Sequence, residues 1–140
     1  MGKRRKAREC ALQILFQQEI TGDELSVILQ DYWSRQTVPA ETREYSEWLV
    51  KGIQENQAEI DRLIQQVSRN WKLERMAIVD RNILRLAVFE MLFEKNLDPP
   101  IIIDEAIEIA KKYSGEEAAH FVNGVLDGVR RRLQGENPPG

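Results

Sequence analysis

Five of the residues in Lys3-Arg4-Arg5-Lys6-Ala7-Arg8 are cations, and they lead directly into the first apolar periodic stretch. In a helix, Arg4 and Arg8 share one face at i and i+4, with Arg5 beside them. Like charges at that spacing repel, and cations oppose the positive end of the helix dipole. An anion relieves both penalties. Phosphate suits, because the guanidinium fork binds its oxygens in pairs, and arginine-rich segments that order on binding recur in RNA recognition. On charge alone, the same run reads first as a solvated, frayed terminus.

A second run, Phe121-Val122-Asn123-Gly124, places two poor helix formers inside a helical pattern. Glycine there costs about 1 kcal/mol against alanine. Two compensations are open: close helix–helix approach at Gly124 with Asn123 bonding a neighbouring loop, or RNA, with Asn123 bonding a base or phosphate. Glu117 reads either as the acid of a capping box with Ser114 or as a repulsive carboxylate that lowers RNA affinity. Asp80, Arg81 and Arg85 form the polar stripe of an otherwise apolar helix. They are either an internal ion-pair set or a partner-facing patch.

Catalytic chemistry finds little to use. His120 is the one histidine and Cys10 the one cysteine, so neither a His-rich zinc site nor a Cys-x-x-Cys pair is present. Cys10 falls on an apolar face and reads as a small core residue rather than as a nucleophile paired with His120. No glycine-rich phosphate loop occurs. The carboxylates lie at helix-surface spacing, which favours solvated faces over acid–base work. The expectation is a non-enzyme with no metal and no cofactor.

The elements that must position these residues are helices. Ala7, Cys10, Ala11, Ile14 and Leu15 make one face of a helix over about 3–20, and Gly22 suits its left-handed end. A second helix spans about 23–35. Pro39 precedes a third over 40–55, with Tyr45, Trp48, Leu49 and Ile53 inward. A fourth follows on Ile60, Leu63, Ile64, Val67 and Trp71. The fifth, about 76–95, is apolar nearly all round, which places it at the centre of a bundle. Pro99 and Pro100 suit a helix start before a sixth helix over about 102–113. Ser114 and Glu117 open the seventh. The fold class is therefore all-α: about seven helices in a compact bundle of two packed helical subdomains.

The 140 residues fit one domain, here residues 1–134 with a basic arm at 1–8 and a disordered tail at 135–140. A net charge of -3 hides an acidic body behind the arm, and such an arm is an electrostatic footprint for phosphates or acidic surfaces. No apolar run approaches a membrane span, and the basic N-terminus lacks the apolar stretch and cleavage site of a secretory signal. A lone cysteine points to a reducing cytoplasm.

Three segments resemble the NusB family of transcription antitermination factors. They are Arg4-Arg5-Lys6-Ala7-Arg8-Glu9-Cys10-Ala11-Leu12-Gln13, Asp80-Arg81-Asn82-Ile83-Leu84-Arg85-Leu86-Ala87, and Ile103-Asp104-Glu105-Ala106-Ile107-Glu108-Ile109-Ala110-Lys111 followed by Phe121-Val122-Asn123-Gly124-Val125-Leu126-Asp127. Their order and spacing match across essentially the whole chain. The resemblance implies binding of single-stranded boxA RNA in nascent rRNA transcripts, as a heterodimer with the ribosomal protein NusE, within an RNA polymerase elongation complex that carries other Nus factors. It nominates Lys3, Arg4, Arg5, Lys6 and Arg8 for phosphates. It places Phe16, which stands where relatives often have tyrosine, as a base-stacking residue. Glu117, His120, Phe121 and Asn123 fall in a second RNA region, and Glu74 and Asp80 on the NusE-facing surface. The free chain is either a monomer or a self-masking homodimer. Two other readings stand beside this one: a stand-alone relative of the N-terminal domain of rRNA cytosine methyltransferases, and a protein-interaction module that binds no RNA.

Overall fold

The structure, a computed structural model, describes residues 2–135; of the tail expected at 135–140, Gly135 is a turn residue and 136–140 lie outside the described residues. It is all-α, with six helices among the described residues: α1 (Gly2–Thr21), α2 (Leu25–Arg35), α3 (Ala40–Val67), α4 (Ile78–Phe93), α5 (Pro99–Tyr113) and α6 (Glu116–Leu133). A 3₁₀ turn, Leu73–Arg75, joins α3 to α4.

Six replace the expected seven because the third and fourth merge. No glycine or proline interrupts residues 53–60, so the helix continues through them. Asn56 alone leaves helical geometry, at φ -117° and ψ 16°. Its side-chain amide donates to the Gly52 carbonyl at 2.8 Å, a local bond that competes with the helix ladder and bends it. The kink redirects α3 at Asn56.

The helix ends follow local chemistry. Gly22 takes φ +73° just past α1, where the left-handed region costs glycine little. Pro99 and Pro100 occupy the first positions of α5, three residues ahead of the expected start. The capping box does not form. Ser114 closes α5, with its N–H donating to Ala110, and Gly115 at φ +120° is the N-cap of α6. That backbone angle lets the chain reverse in one residue, leaving Ser114 one position too early to cap. Glu116 and Glu117 instead lie in the first turn of α6, where the helix dipole favours them.

As its all-round apolar sequence requires, α4 runs through the middle and packs on α1, α3, α5 and α6. One continuous core results, with Ile14, Ile53, Ile64, Leu84, Ile102 and Leu126 fully enclosed. Cys10 is completely buried in it. No helix among the described residues is long and apolar enough to cross a membrane.

Candidate nucleic-acid interface

The basic run is not a separate arm. It forms the first two turns of α1, and the repulsion among its arginines is relieved by carboxylates of this same chain. Arg8 is buried, with Nε and Nη2 donating to Glu90 at 2.8 and 3.0 Å and Nη1 to Glu105 at 3.2 Å. Arg5 forks onto Glu105 at 3.1 and 2.5 Å, and Arg4 reaches Glu94 at 2.8 Å. Arg8 therefore stands as an internal anchor of α1 against α4 and α5, facing away from solvent. Arg4 and Arg5 keep 44% and 40% of their side chains exposed, so both can meet a phosphate from the outside. Lys3 has only a loose contact with Glu41 at 3.8 Å, and Lys6 is exposed with no ion pair among the described residues. Lys3 and Lys6 are the least paired cations of the run among the described residues.

The ion pairs perturb their members. The Arg5 guanidinium holds the Glu105 carboxyl below the usual carboxylate range, against the opposing effect of burial. Tyr45 donates its hydroxyl to Glu90; burial, and then the negative charge of Glu90, raise the tyrosine pKa and keep that proton in place.

Farther along α1, Phe16 is 39% exposed. Lys6, Gln13 and Phe16 fall within one arc of the helix surface, and Phe16 lies about 15 Å beyond Lys6 along the axis.

The second region is built by the α5–α6 reversal and the segment between α3 and α4. Trp71, expected on the inner stripe of a helix, lies past the end of α3 and is 58% exposed. Its ring meets Phe121 edge to face, with centroids 6.5 Å apart. Depressions open on both sides of this pair. One, of about 400 Å³, is lined by Arg75, Asp80, Glu117, Trp71 and Phe121 among others. The other, of about 310 Å³, is lined by Arg69, Asn70, His120, Gly124 and the same two rings. Asp80 Oδ1 is buried there with no hydrogen-bond partner among the described residues. Glu74 is exposed on the 3₁₀ turn.

Gly124 does not mediate helix packing: a Cβ placed on it would meet nothing within 4 Å. The close approach occurs one turn later, at Gly128, where a Cβ would come 2.4 Å from Val67 Cγ1. Asn123 is exposed, bonds no neighbouring loop among the described residues, and lines neither depression. Glu117, Phe121 and Gly124 share a stripe at i, i+4 and i+7, whereas Asn123 stands off it.

What holds this region still is a polar cluster under α4. Glu19 accepts from Arg81, from Asn82 at 3.1 Å and from Arg85 at 2.6 Å, and Arg85 also forks onto Asp61 at 2.9 and 3.1 Å. Burial opposes the charge on Glu19, but the bonds from Arg81, Asn82 and Arg85 outweigh it and lower its pKa. Arg81 Nη1 also donates to the carbonyls of Glu74 and Met76. Arg81 and Arg85 are thus ion-paired within the chain and line a separate depression of about 630 Å³ with Glu19 and Asp61, whereas Asp80 turns to the depression beside Phe121. No group of three or more His, Cys, Asp or Glu among the described residues could hold a metal ion.

A sequence profile described as the NusB family matches residues 5–131. The transcription antitermination protein NusB of Sorangium cellulosum (strain So ce56) is 42% identical over 133 residues, covering 95% of either chain. Among solved structures, T. maritima NusB superposes with a TM-score of 0.84 at 40% identity, covering 96% of this chain and 93% of that one. A chain from the crystal structure of antitermination factors NusB and NusE in complex with double-stranded RNA gives a TM-score of 0.85 at 28% identity, covering 94% of this chain and 98% of that one.

Proposed function

This chain belongs to the NusB family, and from that premise we propose that it is a non-catalytic, RNA-binding transcription antitermination factor. It holds the boxA segment of nascent rRNA as a heterodimer with NusE and tethers it to the RNA polymerase elongation complex, which then reads through rRNA operons. Lys3 and Lys6 meet phosphates first. Arg4 and Arg5 join them by exchanging their carboxylates for phosphate, and Arg8 positions the helix that carries all four. Phe16, Trp71 and Phe121 offer ring faces to bases, with His120 at the edge and exposed Asn123 off that stripe.

One observation carries the reading: Glu117 and Phe121, expected to face RNA, and Asp80, expected to face the protein partner, line a single depression. Asp80 and Glu117 supply carboxylates to it, and Phe121 and Trp71 supply rings. A basic ribosomal protein seated on Glu74 and Asp80 neutralises, in Asp80, one of the two carboxylates that repel an RNA strand at Phe121. NusE binding therefore raises RNA affinity through electrostatics at that shared wall.

The test is binding of boxA RNA and a scrambled control, with and without NusE, across a salt series. Preference for boxA that sharpens with NusE supports the reading. Equal binding to both RNAs reduces the surface to a generic basic patch. No binding to either makes this a protein-interaction module.

A further inference from the structure

Helical spacing sends Tyr45, Trp48 and Phe93 inward, yet Trp48 is 39% and Phe93 45% exposed. They belong to one unbroken run of rings. Tyr45 lies 5.3 Å from Trp48, Trp48 4.9 Å from Phe89, and Phe89 4.9 Å from Phe93, centroid to centroid. Phe89 is buried against Gly52, where a Cβ would come within 2.1 Å of its ring. Seated that deeply, Phe89 props the two outer rings at the surface. At the other end the Arg4 guanidinium covers Tyr45, 4.3 Å from the ring centre, while bonding Glu94, the residue after Phe93. The rings thus run from α3 to the end of α4, and Arg4, at the cationic start of α1, reaches both Tyr45 and Glu94.

Single exposed apolar residues need no explanation, but contiguous ones mark a contact surface. Rings beside cations, with no convergent base-edge donors, are the construction of sites that take single strands by stacking. Glu44 and Glu55 are exposed on the same side of α3 as Trp48, one turn before it and two turns after. They repel phosphates, so a strand crossing here keeps its backbone toward Lys3 and Arg4 and turns its bases to the rings.

We propose that Trp48 and Phe93 form a base-stacking subsite for single-stranded RNA that runs on from the strand held at the start of α1. The proposal rests on the RNA-binding reading above. It takes any base, because stacking on a ring face does not discriminate among them.

The experiment compares the full chain with W48A, F93A and W48F, each checked for native unfolding behaviour. The probes are boxA RNA and the same RNA extended by several unrelated nucleotides at its 5′ or 3′ end. One extension should tighten wild-type binding on the order of tenfold. W48A and F93A should erase that gain, W48F should keep it, and affinity for unextended boxA should not move. A gain that survives both alanine variants, or no gain from either extension, overturns the subsite while leaving the RNA-binding reading intact. Loss of a dimer by W48A in sedimentation also overturns it, since the rings would then join two copies. Failure of wild type to bind unextended boxA removes the reading itself.

Discussion

Arg8 and Lys6 stand two positions apart in a basic run and do opposite work. Arg8 is enclosed between Glu90 and Glu105, and removing one member of a buried pair strands the others. R8A should therefore lower stability by about 3–5 kcal/mol in denaturant titration. K3A/K6A should leave the unfolding midpoint unmoved and weaken RNA binding. A stable R8A would show that the ion pairs are not fastening α1. The sequence could not separate these roles, because the partners of Arg8 lie more than eighty residues away and read there as surface carboxylates. Trp71 was hidden for the opposite reason: it completes an i+11 helical stripe, but α3 ends four residues before it.

At the scale of elements, two glycines of α6 make a matched test. Gly124 faces open space and Gly128 faces Val67. G124A should gain roughly the helix preference of alanine, about 1 kcal/mol, whereas G128A should lose about 1–3 kcal/mol by overpacking. Equal effects in thermal unfolding would contradict the packing described. Glycine in a helix was visible as a local cost in the sequence, but which glycine met a neighbour depended on Val67 from another helix. The cluster that joins α1, α3 and α4 makes a pH prediction. Glu19 has its folded-state pKa lowered from the ordinary 4.5, so its ion pairs contribute fully above that pH. They are lost as pH falls through the lower folded value. The stability advantage of wild type over E19Q should shrink on acidification below about pH 4.5; an advantage that grows there would reverse the sign of the linkage.

For the molecule as a whole, internal neutralisation sets how strongly salt should matter. Five phosphate contacts on a single strand give a log–log slope near -3.5. With Arg8 enclosed, the start of α1 offers at most four, and two if Arg4 and Arg5 stay on their carboxylates. Its share of the slope should then fall between about -1.4 and -2.8, and the difference between wild type and a variant with Lys3, Arg4, Arg5, Lys6 and Arg8 all replaced by glutamine measures it. A share near -3.5 would mean that Arg8 leaves the core when RNA binds. The helical class, the central α4 and the order of elements were legible because apolar periodicity is a local signal. The merged α3 and the single-residue reversal at Gly115 were not, because each turns on one residue's backbone angles.

Cys10 gives this architecture a clock. It is the only thiol in the chain and has no exposed surface, packed where α1 meets the core. A thiol reagent can reach it only during an opening that detaches α1, so its labelling rate counts those openings under native conditions. In R8A the labelling should run faster by the factor lost from the opening equilibrium. In K3A/K6A it should keep the wild-type pace, so that fastening and RNA contact can be read separately from one sulfur atom.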